Sequence, residues 1–232
     1  MSNFIKIQNL GKKYGKNKSI KVLNDISFFF ESGKTYSIMG PSGSGKSTLL
    51  NLLSLIDTPS AGLIEINNKK IKSTNKLEND LIRANKIGIV YQDKNLLSDF
   101  TALENVYLPN LLTSKDKKKS VELAKKLIKN IGMSARINHF PNELSGGENQ
   151  RIAIARALIN DPEIILADEP TGSLDFDNAK QIFKLLFSLK NKNRIIIFAT
   201  HNRYFADMAD CKIKMIDGKM TISNERINSK NI

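Results

Sequence analysis

The chain has 232 residues, 41% of them hydrophobic, enough to bury a sizeable core as one large domain or one domain with a lobe. Its longest apolar runs, such as Ile195-Ile196-Ile197-Phe198-Ala199, fall far short of the ~20 residues of a membrane-crossing helix, so no span is expected. A net charge of +13 suits nucleic acid or an anionic membrane surface, and equally suits lysine and asparagine decorating solvated faces.

At the start, Met1-Ser2-Asn3-Phe4-Ile5-Lys6 lacks a basic region followed by a long apolar stretch, so no secretory signal and a cytoplasmic location are expected. Residues 4–30 read as antiparallel strands with polar turns, alternating at Phe4-Ile5-Lys6-Ile7 and broken between Gly11 and Gly15. Thr35-Tyr36-Ser37-Ile38-Met39 is a short strand entering a glycine-rich loop, after which residues 47–55 continue as a helix. That loop, Gly40-Pro41-Ser42-Gly43-Ser44-Gly45-Lys46-Ser47-Thr48, has the spacing of a phosphate cradle. Its glycines let successive N–H groups turn inward at phosphate oxygens, and the helix N-terminus adds its positive dipole end. Lys46 is expected to reach the β- and γ-phosphates, and the Ser47 hydroxyl to serve Mg²⁺. ATP or GTP is the ligand this implies.

Further along, Ile87-Gly88-Ile89-Val90-Tyr91 is a compact apolar run of the kind found in strands buried on both faces of a parallel sheet. Residues 96–142 carry mostly helical pattern, which predicts a helical lobe inserted into a sheet domain. Within it, Lys115-Asp116-Lys117-Lys118-Lys119 leads into Val121, Ala124, Leu127, Ile128 and Ile131, an amphipathic helix with its lysines turned to water. Ser145-Gly146-Gly147 opens another helix; alone it is a capped helix start, and in company with the phosphate motifs its hydroxyl and N–H groups are expected to make a second anion site. Ile164-Ile165-Leu166-Ala167 then delivers Asp168 and Glu169 to the end of a buried strand, where open α/β sheets bind ligands. Asp168 is expected to hold Mg²⁺ through its water shell, and Glu169 to take the proton of an attacking water, so hydrolysis is expected. Ile195-Ile196-Ile197-Phe198 is a third buried strand; Cys211 has no partner for an internal disulfide, and two histidines give no zinc-like cluster.

Leu144-Ser145-Gly146-Gly147-Glu148-Asn149-Gln150-Arg151, followed by Ile152-Ala153-Ile154-Ala155-Arg156-Ala157-Leu158, resembles the signature of ABC ATPases. The resemblance runs from about Phe4 to Met220 and implies a single ABC ATP-binding domain over residues 1–232. Its fold would be an α/β P-loop NTPase core with a parallel sheet, a small antiparallel β-subdomain, and a helical subdomain inserted at 96–142. It further implies that Tyr14 stacks on adenine, that Gln92 contacts Mg²⁺ and the attacking water, and that His201 is a switch near the γ-phosphate. Ser173-Leu174-Asp175 matches a loop that crosses the dimer interface. Ser145 and Gly147 would close on the ATP of a second subunit, giving a homodimer with two ATP molecules sandwiched between copies.

Glu148 departs from the glutamine most ABC members carry. Together with Gly172-Ser173-Leu174-Asp175, the stretch from Leu96 to Val106, and Ala199-Thr200-His201-Asn202, it resembles the lipoprotein-releasing group of ATPases, from whose commonest residues Asn149 and Ser173 deviate modestly. That implies two integral inner-membrane permease subunits and a peripheral place on the cytoplasmic face of the inner membrane. An ATPase of a peptide or macrolide exporter, or of a cell-division complex, shares the same design. ABC proteins acting on nucleic acid carry long coiled-coil insertions or two motif sets, neither of which is present, so no nucleic-acid partner is expected. An inactive regulatory module would need a broken motif, whereas Lys46, Asp168, Glu169 and His201 are intact. Selectivity for the cargo would lie in the membrane subunits.

Overall fold

The computed structural model describes residues 3–15 and 19–223. Strand β1 (Phe4–Tyr14) pairs antiparallel with β2 (Ile20–Glu31). The alternation that starts at Phe4 buries Ile5 and Ile7 on one face. The expected break at Gly11 does not occur. Register shifts around Asn9, whose φ is 48°, absorb the irregularity as bulges, and the strand continues to Tyr14. Next come β3 (Thr35–Met39) and helix α1 (Lys46–Leu53), the latter one residue earlier at its start and two shorter at its end than its apolar spacing suggests. β4 (Ala61–Ile66) and β5 (Lys69–Lys70) complete a four-stranded antiparallel sheet in the order β2-β1-β4-β5.

Helix α2 (Lys76–Lys86) leads directly into β6 (Ile87–Val90). The chain then leaves the sheet for α3 (Ala102–Ser114) and α4 (Lys117–Asn130). The start of α3 is fixed by a capping box in which Thr101 and Glu104 satisfy each other's backbone N–H groups. Asp116 caps α4, and Ala124 and Ile128 turn inward while the flanking lysines face water. Both helices pack through Val106, Ala124 and Ile128 onto Ile152 and Ala155 of α5 (Gly146–Leu158), so the helical lobe and α5 share one apolar core.

From α5 the chain returns through β7 (Ile164–Asp168), α6 (Phe176–Ser188), β8 (Ile195–Ala199), α7 (Arg203–Asp207), β9 (Cys211–Ile216) and β10 (Lys219–Ile222). A six-stranded sheet results, ordered β10-β9-β3-β8-β7-β6, parallel throughout except for β10. Strands β7 and β8 are buried on both faces, as their unbroken apolar runs require. One layer over this sheet is aromatic: Phe183 of α6 stacks on Phe205 of α7 with ring centroids 4.1 Å apart. The parallel strands β3, β7 and β8 point their C-terminal ends at the same edge, which brings the loops after Met39, Asp168 and Ala199 together.

Candidate active site

The loop between β3 and α1 gets its shape from its glycines. Gly45 caps α1 at a φ of 101°, a left-handed conformation with no room for a side chain, since an added Cβ would sit 2.7 Å from Leu23 Cδ2. A Cβ at Gly40 would collide with the Met215 carbonyl oxygen of β9. The loop therefore lies close against the sheet. Lys46 curls back over it, donating from Nζ to the carbonyl oxygens of Gly40 at 2.9 Å and Pro41 at 3.0 Å. This holds an ammonium group at the mouth of the loop.

These residues line a cleft of about 620 Å³, within the range of small-molecule sites. Its walls contain Gly40, Pro41, Ser42, Gly43, Gly45, Lys46, Ser47 and Thr48, and opposite them Gln92, Glu169 and His201. Glu169 directly follows β7 at a φ of 45° and is pinned from both sides, its N–H donating to the Ala199 carbonyl at 3.1 Å and its carbonyl accepting from Gly172 at 3.0 Å. Its carboxylate Oε2 lies 2.9 Å from His201 Nδ1 and accepts the His201 backbone N–H at 3.3 Å. An ionised carboxylate only accepts, so Nδ1 carries the proton and Nε2 is left for other work. Gln92 fits because residue 172 is glycine; a Cβ there would come within 2.9 Å of Gln92 Nε2.

Two polar atoms beneath this cleft are buried without a hydrogen-bond partner: Ser44 Oγ and Asp168 Oδ1. A buried carboxylate oxygen left unpaired is costly, and a cation or its bound water would satisfy it. With the Ser47 hydroxyl and the Gln92 amide on the cleft wall, the donors are hard oxygens, few in number. That set suits Mg²⁺, which keeps most of its waters.

Besides Ser44 and Asp168, three positions expected at the site from the sequence, Ser145, Gly147 and Tyr14, lie outside the cleft lining. Ser145 caps α5 in a second capping box, its hydroxyl accepting from Glu148 N at 3.3 Å while Glu148 Oε2 accepts from Ser145 N at 2.8 Å. The backbone N–H of Ser145 holds the Glu148 carboxyl below its usual range, and Arg136, 3.1 Å away, adds to this. Gly147 packs against Asn178 of α6, where a Cβ would lie 3.2 Å from Oδ1. Tyr14 stands at the end of β1, its hydroxyl donating to Asp57 Oδ2 at 2.7 Å, with the Lys12 ammonium 4.7 Å from its ring centroid. Burial and then the neighbouring Asp57 carboxylate push the Tyr14 phenol pKa up, with the Thr48 hydroxyl of α1 opposing them.

Sequence reasoning missed Val22 in the cleft wall, Lys12 and Asp57 beside Tyr14, and the contact of Arg156 with the loop at Lys94. Arg156 of α5 donates to the backbone carbonyls of Asn95 at 2.6 Å and Lys94 at 2.7 Å, and Lys94 Nζ donates to Ser173 Oγ at 2.7 Å. Both Lys94 and Asn95 are left-handed, with φ of 44° and 47°. Such backbone costs roughly 1–2 kcal/mol per residue. Charge-assisted bonds return roughly 1.5–3 kcal/mol each, so the guanidinium outweighs the strain. Beside it runs a groove of about 300 Å³ between α2, β6, α3 and α5, lined by Ala84, Tyr91, Asn95, Pro109, Arg156 and Asn160 among others.

A strand, a glycine loop closing on a helix N-terminus, and acids at the end of a second parallel strand, with β8 between the two, define a P-loop nucleotide-hydrolysing α/β domain. Residues 23–172 match the family model described as ABC transporter. The chain is 42% identical over 219 residues to the lipoprotein-releasing system ATP-binding protein LolD of Cytophaga hutchinsonii, spanning 94% of this chain and 99% of that protein. The protein of the same name from Bacteroides fragilis is 40% identical over 217 residues, spanning 93% and 99%. Among solved structures, the dimeric post-hydrolysis state of the ATP-binding cassette MJ0796 bound to ADP and Pi superposes with a TM-score of 0.87. It shares 37% identity and spans 94% of this chain and 97% of that one. The chain therefore belongs to the ABC transporter family as an ATP-binding subunit whose hydrolysis of ATP is coupled to transport.

Proposed function

We propose that this chain works as a homodimer against two integral inner-membrane permease subunits, driving release of lipoproteins from the inner membrane toward the outer membrane. The geometric observation behind the motor role is the convergence of Lys46, Glu169 and His201 on one cleft walled by the glycine loop. The lipoprotein reading rests on relatives of that name, at 42% and 40% identity, matched over almost their full lengths.

In this reading Lys46 and the N–H groups of residues 40–48 bind the phosphates, and Tyr14 stacks on the base. Glu169 takes the proton of the attacking water, oriented by Gln92, and His201 acts as a switch near the γ-phosphate. Ser47, Gln92 and Asp168 would hold Mg²⁺, which when bound neutralises charge on the β- and γ-oxygens. Ser145 and Gly147 do not line their own cleft, so their anion site is free to complete the cleft of a second copy. Reciprocity then makes the pair two-fold symmetric. The groove beside Tyr91 and Asn95 receives a cytoplasmic helix of the permease, which places the chain peripherally on the inner face of that membrane.

The test is reconstitution of the chain with its permease subunits in vesicles bearing a lipid-modified protein. ATP-dependent release into solution supports the assignment. ATP turnover without release, together with export of a peptide or macrolide, replaces it with the exporter reading.

A further inference from the structure

Gln92 begins the loop that follows β6, two residues before a stretch of left-handed backbone. Lys94 and Asn95 both occupy left-handed backbone, which neither side chain favours, although asparagine tolerates it better than lysine. The carbonyls of Tyr91, Lys94 and Asn95 are held from α5, whereas that of Leu97 accepts from Asn105 of α3 at 3.0 Å. Gln150 Nε2 of α5 donates to the Tyr91 carbonyl at 3.3 Å, a long bond, while Arg156 of the same helix makes two short ones to the Lys94 and Asn95 carbonyls. A guanidinium can grip two neighbouring carbonyls at once because its N–H groups form a rigid fork. Arg156 has no carboxylate partner in the ion pairs among the described residues, so its charge is committed to this loop.

We infer that Arg156 is a positioning residue for hydrolysis. It holds the backbone of residues 94 and 95 in its left-handed form, and so keeps Gln92 at the phosphate end of the cleft. The inference rests on the proposed role of Gln92 toward the attacking water. Since Arg156 also lines the groove between α2 and α5, a segment docked there bears directly on the residue that sets Gln92.

The experiment compares purified wild-type chain with Arg156→Met by steady-state ATP hydrolysis and by direct binding of a fluorescent ATP analogue. The expected result is a fall in kcat of about tenfold to a hundredfold, the size of effect that a displaced catalytic group produces, with analogue affinity unchanged. A purely structural role would instead lower binding and thermal stability together. Adding Lys94→Gly and Asn95→Gly to Arg156→Met is expected to recover part of the lost kcat, because glycine enters the left-handed region freely. If Arg156→Met does not fold, Arg156→Lys gives the same split in milder form, keeping the charge but not the fork. Wild-type kcat in whichever variant folds overturns the inference, as does loss of kcat that the glycine pair leaves untouched. A wild-type chain that hydrolyses no ATP overturns the reading of the cleft as well, and is recognised by that control alone.

Discussion

The Asp57 carboxylate ties the end of β1 to the segment that follows α1. It accepts from Lys12 at 2.6 Å, from Tyr14 at 2.7 Å and from Thr58 N at 2.7 Å. Burial alone would raise its pKa, but these three donors outweigh that and leave it below its ordinary 3.8. A depressed carboxyl contributes stability above its unfolded value, and that contribution is lost as pH falls through the folded one. Asp57→Asn is therefore expected to remove part of the acid limb of a stability profile below about pH 4. It also leaves the buried Lys12 ammonium short of its counter-charge, a loss of about 1–3 kcal/mol at neutral pH. Denaturant unfolding across pH measures both; an unchanged profile removes Asp57 from this role. At the other end of the cleft, Lys46→Ala takes away the ammonium over the glycine loop and is expected to abolish turnover. Wild-type-like ATP hydrolysis by that variant would contradict the assignment of the whole cleft.

Helix α5 joins three functions along one rod, with Ser145 and Gly147 at its N-terminus, Gln150 in its second turn, and Arg156 near its end beside the groove. Ala84 of α2 is exposed in the same groove and has no part in the cleft, so Ala84→Arg tests docking alone. It is expected to leave ATP hydrolysis by the isolated subunit intact and to weaken co-purification with the permease. Undiminished co-purification would move the docking surface elsewhere. The elements that carry chemistry were legible because their patterns are local. The glycine loop, the apolar runs of β7 and β8, and the capping residue of α5 each announce themselves within ten residues. Helix α2 was not read, because it leaves Leu77 and Leu81 largely exposed while Ile82 packs on the core, so its apolar residues do not mark one buried face. Nor was the β9–β10 hairpin, whose alternating lysines resemble any polar edge. Asp57 and Arg156 were invisible for a deeper reason: each acts on a segment more than 40 residues away, and neither a turn aspartate nor a helical arginine carries a local sign of such a partner.

At the scale of the whole molecule, the proposed dimer makes the cleft and the signature helix of one copy halves of two different sites, and the sharpest test is to stop the cycle with the two copies closed. Glu169→Gln keeps the size of the carboxylate and can still accept from His201, 2.9 Å away, through its amide oxygen. It cannot readily accept a proton, so a general-base contribution of about 10²–10⁴-fold in rate is lost. The phosphate contacts of residues 42–48 and the opposing Ser145 are untouched, so ATP continues to favour the closed pair over the open one. Hydrolysis no longer reopens it. The variant is expected to elute as a dimer in size-exclusion chromatography with ATP and Mg²⁺ and as a monomer with ADP, while wild type passes through the dimer only transiently. Turnover by Glu169→Gln near the normal rate would show that Glu169 is not the base. His201, which shares its hydrogen bond and lines the same cleft, would then be the residue to test in that role.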